Sequence, residues 1–239
     1  MKSHFTSSLF FLLSISPLFS QTSGLTGAWE SGPPENHVIM IVTGRYFSAV
    51  VINKTNNVYL GTCGGTWRTE KDQFIELHEF NTMKPGWIGT ELKSLLSIKV
   101  GTLSFKTNDK TEVFTRIDDG KPGLLAGAWI ITARTTAQGI QKITPGARKT
   151  MKILSGTRFQ WIAYNTDTKE FFGTGGGNYT TESGKYSENI DVFSRHNSRV
   201  GMKLGFDFTF EQGDWHHKGL SSKGDPIDEF WTKRESLEK

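Results

Sequence analysis

The sequence predicts an all-β protein made of two similar units, and three observations carry that reading. The first is an internal repeat. Gly27-Ala28-Trp29 returns as Gly127-Ala128-Trp129, Val42-Thr43-Gly44-Arg45-Tyr46-Phe47 as Leu154-Ser155-Gly156-Thr157-Arg158-Phe159, and Gly61-Thr62-Cys63-Gly64-Gly65 as Gly173-Thr174-Gly175-Gly176-Gly177. Each copy spans roughly a hundred residues, the size of a small domain rather than of a solenoid unit. The second is the pattern: short alternating runs of Val, Ile, Phe, Thr and Tyr with almost no helical periodicity, as half-buried strands require. The third is the punctuation by Gly, Asn-Asn, Asp-Asp-Gly and Lys-Pro-Gly, residues that favour tight turns.

Residues 1–20 read as a secretion signal and belong to no fold. Lys2 gives a positive start, Leu9 to Phe19 an apolar stretch, and Ser20-Gln21 a cleavage point. The stretch is shorter than the ~20 apolar residues of a membrane span, and no later segment reaches that length. No membrane span is expected. Of 28 Lys+Arg, one (Lys2) leaves with the signal, so 27 face 24 Asp+Glu. That mild excess favours acidic partners weakly, and no Lys/Arg run marks a nucleic-acid surface. Cys63 stands alone, which excludes an intramolecular disulfide, and no Cys follows the signal to carry a lipid anchor. The expected location is periplasmic or extracellular.

The first copy runs over residues 24–118 and the second over 124–235, with Asp118-Asp119-Gly120-Lys121-Pro122-Gly123 between them as linker. Asn53-Lys54-Thr55-Asn56-Asn57 and Asn165-Thr166-Asp167-Thr168-Lys169 occupy matched places as hairpin turns. Registered by 112 positions, Leu92, Ser94, Leu96 and Ile98 match Leu204, Phe206, Phe208 and Phe210, one apolar face in both copies. Phe74, Glu76, His78 and Phe80 match Tyr186, Glu188, Ile190 and Val192. A glutamate thus sits on an otherwise apolar face twice. The glycine runs have no following helix and no Lys-Ser/Thr ending, so they are barrel turns or bulges rather than phosphate loops.

Gly-x-Trp on the first strand, short antiparallel strands after it, and a basic residue on the last strand resemble the lipocalin-like (calycin) barrels. The resemblance covers both halves and implies two tandem antiparallel β-barrels or strongly curved sheets. It also implies that Arg116 packs across Trp29, and Lys233 or Arg234 across Trp129. Two segments, 158–165 (Arg-Phe-Gln-Trp-Ile-Ala-Tyr-Asn) and 215–219 (Trp-His-His-Lys-Gly), resemble small secreted lipocalin-like proteins of polysaccharide-degrading marine bacteria. Those found with ulvan-degrading enzymes would imply a dehydratase.

An inward carboxylate such as Glu188 must be paired or neutral. Paired, with Arg158 or Arg195 as the obvious partner, it is structural; with a raised pKa it is a general acid or base. His216 and His217 are adjacent, so on a strand they point to opposite faces, which speaks against a shared metal ion. One inward His near Glu188 and Tyr164 makes an acid/base group; a core or solvated His is the plainer alternative. Arg158, Trp161 and Tyr164 share one strand, where the first copy has Tyr46, Ala49 and Ile52. Arg158 and Tyr164 have the parity of Gln160 and Ile162, so all three cannot line one lumen on a regular strand. The loop Arg195-His196-Asn197-Ser198-Arg199 gives the second copy a basic mouth suited to an anionic ligand, or a solvated hairpin tip.

Two function classes follow. One is a secreted lyase that eliminates water from uronate-containing oligosaccharides during polysaccharide degradation. Arg158 or Arg195 neutralises the uronate, His216, His217 or Tyr164 removes the proton, Glu188 protonates the departing hydroxyl, and Trp161 and Trp215 cover the sugar. This chemistry calls for no metal and no cofactor. The other is a non-catalytic binding barrel for a small apolar or glycan ligand. The partner is an acidic oligosaccharide or another small molecule, not nucleic acid, and the sequence leaves the oligomeric state open.

Overall fold

A computed structural model describes residues 24–238 apart from 109, 120 and 122; the expected secretion signal lies outside them. The first repeat folds as β1 (Gly27–Ser31), β2 (His37–Thr43), β3 (Tyr46–Asn53), β4 (Val58–Glu70), β5 (Gln73–Asn81), β6 (Glu91–Lys99), β7 (Thr102–Thr107) and β8 (Lys110–Arg116). Each strand pairs with the next, and β8 returns to β1 at Trp29–Arg116. The second repeat contains β9 (Gly127–Thr136), β10 (Gly139–Lys142), β11 (Arg148–Leu154), β12 (Arg158–Asn165), β13 (Phe171–Glu182), β14 (Lys185–Phe193), β15 (Lys203–Glu211), β16 (Asp214–Leu220) and β17 (Pro226–Lys233). Here β10 hangs on β9 as a hairpin, while β9 and β11 to β17 close through β9–β17 pairing. The protein is two closed eight-strand antiparallel barrels in tandem, which fits a tandem lipocalin-like fold. Among the described residues no helix is long and apolar enough to cross a membrane.

Closure requires strands to bend and shift register. Two of the shifts fall at matched glycine pairs, between Gly64 and Gly65 on β4 and between Gly176 and Gly177 on β13. A Cβ on Gly65 would lie 2.1 Å from the Leu77 carbonyl oxygen, and one on Gly177 1.8 Å from that of Asn189. The glycine runs are bulges where backbones touch. One end of each barrel is stoppered by the tryptophan of Gly-Ala-Trp. Trp29 Nε1 donates to Leu25 O and Trp129 Nε1 to Leu125 O, both at 2.9 Å. The Arg116 guanidinium covers the Trp29 ring at 4.0 Å and the Lys233 ammonium the Trp129 ring at 4.3 Å. Lys233, rather than Arg234, fills the role of Arg116.

The barrels pack on their outer faces. Ile41, Tyr46 and Phe80 of the first meet Ala128, Ile130, Met151, Ile153 and Ile162 of the second in one buried cluster. Residues 112 apart meet each other: Tyr59 stacks on Phe171 with ring centroids 6.3 Å apart, and Gln160 Nε2 donates to both Thr62 Oγ1 and Thr174 Oγ1 at 2.9 Å. The interface is therefore a pseudo-two-fold that sets the two open ends side by side. Beyond β17 a short helix, α1 (Arg234–Leu237), crosses to the first barrel. Arg234 is 1 % exposed. It donates from Nη1 and Nη2 to Glu79 at 2.9 and 2.5 Å, while Tyr164 donates its hydroxyl to the same carboxylate at 2.5 Å. Burial pushes the Glu79 carboxyl up, but Arg234 and Tyr164 outweigh it and hold the group below its ordinary range.

Breaking a buried pair from one side leaves an uncompensated charge. Arg234→Ala should lower the unfolding free energy by about 3–5 kcal/mol in urea titrations. Combining it with Glu79→Gln should cost less than the sum of the two single changes.

Candidate functional site

Glu188 faces the lumen of the second barrel, 4 % exposed. Its partner is neither Arg158 nor Arg195 but Lys152 of β11, which donates to Oε1 at 2.8 Å; the Tyr186 hydroxyl donates to the same oxygen at 2.8 Å. The Lys152 ammonium stands 5.0 Å from the ring centroids of Tyr186 and Trp215, 5.4 Å from Trp231 and 5.7 Å from Phe206. Glu188 is thus hydrogen-bonded twice by its own barrel and boxed by aromatic rings. Trp215 belongs to this box at 0 % exposure.

The two histidines do point to opposite faces. His217 lies inside, its ring 4.1 Å from Phe206 and its Nδ1 3.8 Å from Glu229 Oε2. Burial, helped by the Lys152 charge, lowers its pKa to about 4, so it is neutral. His217 Nε2 and the indole N–H groups of Trp215 and Trp231 have no hydrogen-bond partner among the described residues, the condition that internal water usually meets. His216 lies outside, between Glu211 at 2.9 Å and Asp228 at 2.8 Å. Burial depresses its pKa, but the two carboxylates outweigh this and raise it.

Strand alternation separates the rest. On β12, Phe159 and Trp161 turn inward, while Arg158, Gln160, Ile162 and Tyr164 turn outward, where the first barrel covers most of that face. Arg158 pairs with Asp191 at 2.7 Å and Tyr164 with Glu79. Trp161 and Arg195 do meet, at the open mouth of the second barrel. There a cavity of about 710 Å³ is lined by both, with Phe193, Arg199, Arg134 and Glu229 among its walls. The Trp161 indole packs edge-on to Phe193 at 5.7 Å and lies so close to β13 that a Cβ on Gly175 would be 2.6 Å from its Nε1. Arg195 Nε donates to Phe172 O at 3.0 Å. Glu229 joins mouth to lumen, 3.2 Å from Arg134 and 3.8 Å from His217.

The eight expected residues therefore occupy three places. Trp161 and Arg195 line the mouth, Glu188, His217 and Trp215 lie in the lumen below, and Arg158, Tyr164 and His216 lie outside the barrel. Lys152, Arg134 and Glu229 were missed. Lys152 sits between Met151 and Ile153, so alternation alone reads it as the solvent side of a strand; both faces of β11 are in fact buried.

The larger cavity belongs to the first barrel, about 990 Å³, with Val38, Met40, Ala49, Cys63 and Phe105 on its walls. Ala49 and Ser94 stand where the second barrel has Trp161 and Phe206, and these smaller side chains leave the lumen open. Glu76 faces it, its side chain 26 % exposed. His78 Nε2 lies 3.3 Å from Glu76 Oε2, and Asn81 Nδ2 lies 3.0 Å from His78 Nδ1. An amide donating to Nδ1 places the imidazole hydrogen on Nε2, from which His78 donates to Glu76. Trp87 stands edge-on to His78 at 6.0 Å, at the rim. Burial pushes the Cys63 thiol well above its ordinary range. The chain matches no protein-family model and no curated protein.

His217 titrates near 6.5 when unfolded and near 4 when folded. Between those values only the unfolded chain takes up the proton, so stability falls as pH drops from 6.5 to 4. His217→Phe, which copies Phe105 of the first barrel, should remove about 2–3 kcal/mol of that fall. Lys152, Glu188 and Glu229 remain in both proteins, so the difference between their denaturation curves across the window isolates the histidine.

Proposed function

We propose that the protein is an exported small-molecule-binding tandem barrel whose main site is the lumen of the first barrel. The observation that carries this reading is the open cavity of the first barrel, with Val38, Met40, Ala49 and Phe105 on its walls and an oriented carboxylate, Glu76. A few placed polar groups in a largely apolar cleft of this size are the usual make-up of a ligand site. The second barrel supplies the contrast. With Trp161, Phe206 and the Lys152–Glu188 pair inside, its lumen is occupied by its own side chains. Export rests on residues 1–20 as a secretion signal.

A second reading is favoured by the mouth of the second barrel, where Trp161, Arg195 and Arg199 stand together. An indole face suits a sugar ring, and guanidinium groups suit its carboxylate or sulfate. An acidic oligosaccharide bound there is the substrate that an exported lyase would need. The proton-transfer groups named from the sequence do not gather at this mouth, which is why binding ranks above catalysis.

Binding of N-phenyl-1-naphthylamine, a neutral apolar fluorophore, tests the first reading. The protein should bind it with a rise in fluorescence, and Ala49→Trp, which copies Trp161 into the first barrel, should weaken it at least about ten-fold by filling the cavity. Unchanged binding by the Ala49→Trp protein would move the site elsewhere. For the second reading, ulvan-type oligosaccharides incubated with the protein should lose one water by mass if it is a lyase. Retention without a mass change, abolished by Trp161→Ala, would mark a lectin-like mouth.

A further inference from the structure

The two lumens carry the same carboxylate with different company. Glu76 and Glu188 are 112 residues apart, and so are their neighbours: Glu76 pairs across strands with Trp67 and Leu92, Glu188 with Tyr179 and Leu204. The lysine that neutralises Glu188 has a matched position too. Lys152 stands opposite Trp129 on the adjoining strand, and Met40 opposite Trp29. The first barrel therefore keeps the acid and lacks its base. Among the described residues, the only hydrogen bond to the Glu76 carboxylate comes from His78. The space beside it opens into the cavity.

Resting on the cavity reading above, we infer that the first barrel binds a ligand bearing an alkylammonium group, whose cation meets Glu76 as Lys152 meets Glu188. The second barrel displays the bound state with its own side chain: four methylenes among aromatic rings, ending in an ammonium 2.8 Å from a carboxylate. In the first barrel a ligand supplies those atoms. Met40, Phe47 and Phe105 offer apolar contact to its chain, and His78, held by Asn81, steadies the carboxylate that receives its head. The lysines of the rim do not replace the missing cation. Lys84 lies over the Trp87 ring at 3.9 Å, Lys110 lies 3.9 Å from Glu112, and Lys93 and Lys106 are exposed at the edge. A carboxylate held only by an imidazole in a partly enclosed cavity makes a neutral or anionic head a poorer occupant than a cation.

Three dansyl probes of matched length separate the possibilities: dansylcadaverine, which ends in an ammonium, its N-acetyl derivative, which is neutral, and a dansyl-amino acid ending in a carboxylate. Titrated into the full mature chain, the ammonium probe should bind on the order of ten-fold tighter than the neutral one, the size of a charge-assisted hydrogen bond. Glu76→Gln should abolish that preference, so that the ammonium probe binds no more tightly than the neutral one. Met40→Lys, which supplies an internal ammonium, should exclude the cationic probe. The Glu76→Gln comparison, which adds no buried charge to the barrel, stands as the deciding one. Equal binding of all three probes, or a preference that survives Glu76→Gln, overturns the ammonium site while leaving the cavity reading in place. Binding of none of the three overturns both.

Discussion

A closed eight-strand barrel has one inside, and every strand must divide its side chains between that inside and everything else. In this protein the outside is itself divided, because β2 and β3 lie against β11 and β12 of the second barrel. Those strands are buried on both faces. Their alternation then separates two interiors rather than interior from solvent. Lys152 and Met151 are neighbours in sequence, yet one meets Glu188 in the lumen and the other packs between the barrels. Nearly every property of the sites depends on which side of this division a residue falls.

The same division explains how one scaffold holds a filled lumen and an open one. The stoppers, bulges and hairpins match in the two repeats, so the backbone frame is shared. What differs is a handful of inward positions, where alanine, serine and methionine in the first barrel stand against tryptophan, phenylalanine and lysine in the second. Packing at interior density leaves no middle course. The second lumen is filled by its own aromatic box, and the first stays open beside Phe47 and Phe105. A polar group inside a filled barrel needs an internal partner, and Glu188 has two. In an open barrel the partner can come from outside.

The fold was legible in the sequence because its determinants repeat. Gly-Ala-Trp, the glycine runs and the twin glutamates each occur twice, and strand alternation assigned Phe74, Glu76, Leu204 and Phe206 to inner faces correctly. The opposite orientations of His216 and His217 followed from the same rule. The sites were less legible. Tyr164 and Arg158 read as cleft residues because nothing in one chain announces that an outer face is covered; their carboxylate partners, Glu79 and Asp191, are 85 and 33 residues away. The Lys152–Glu188 pair joins strands 36 residues apart. Registering Met40 against Lys152 would have exposed it, and with it the missing cation of the first barrel. The second copy is the richer in aromatic and charged residues, and those residues are what occupy its lumen.

The pseudo-two-fold between the barrels has a geometry of its own. It is the arrangement of an isologous dimer whose subunits have been joined head to tail by a linker. On such an axis a residue meets its own counterpart, so symmetric pairs such as Tyr59 and Phe171 can stack. Gln160 is different. It spans the axis and takes both equivalent threonine hydroxyls, while the first copy carries Ser48 at the matching place. Two glutamines there would compete for one pair of acceptors, and two serines would be too short to bridge them. Identical halves cannot use that bond, so the fused chain holds an interaction that no homodimer of either barrel is able to make.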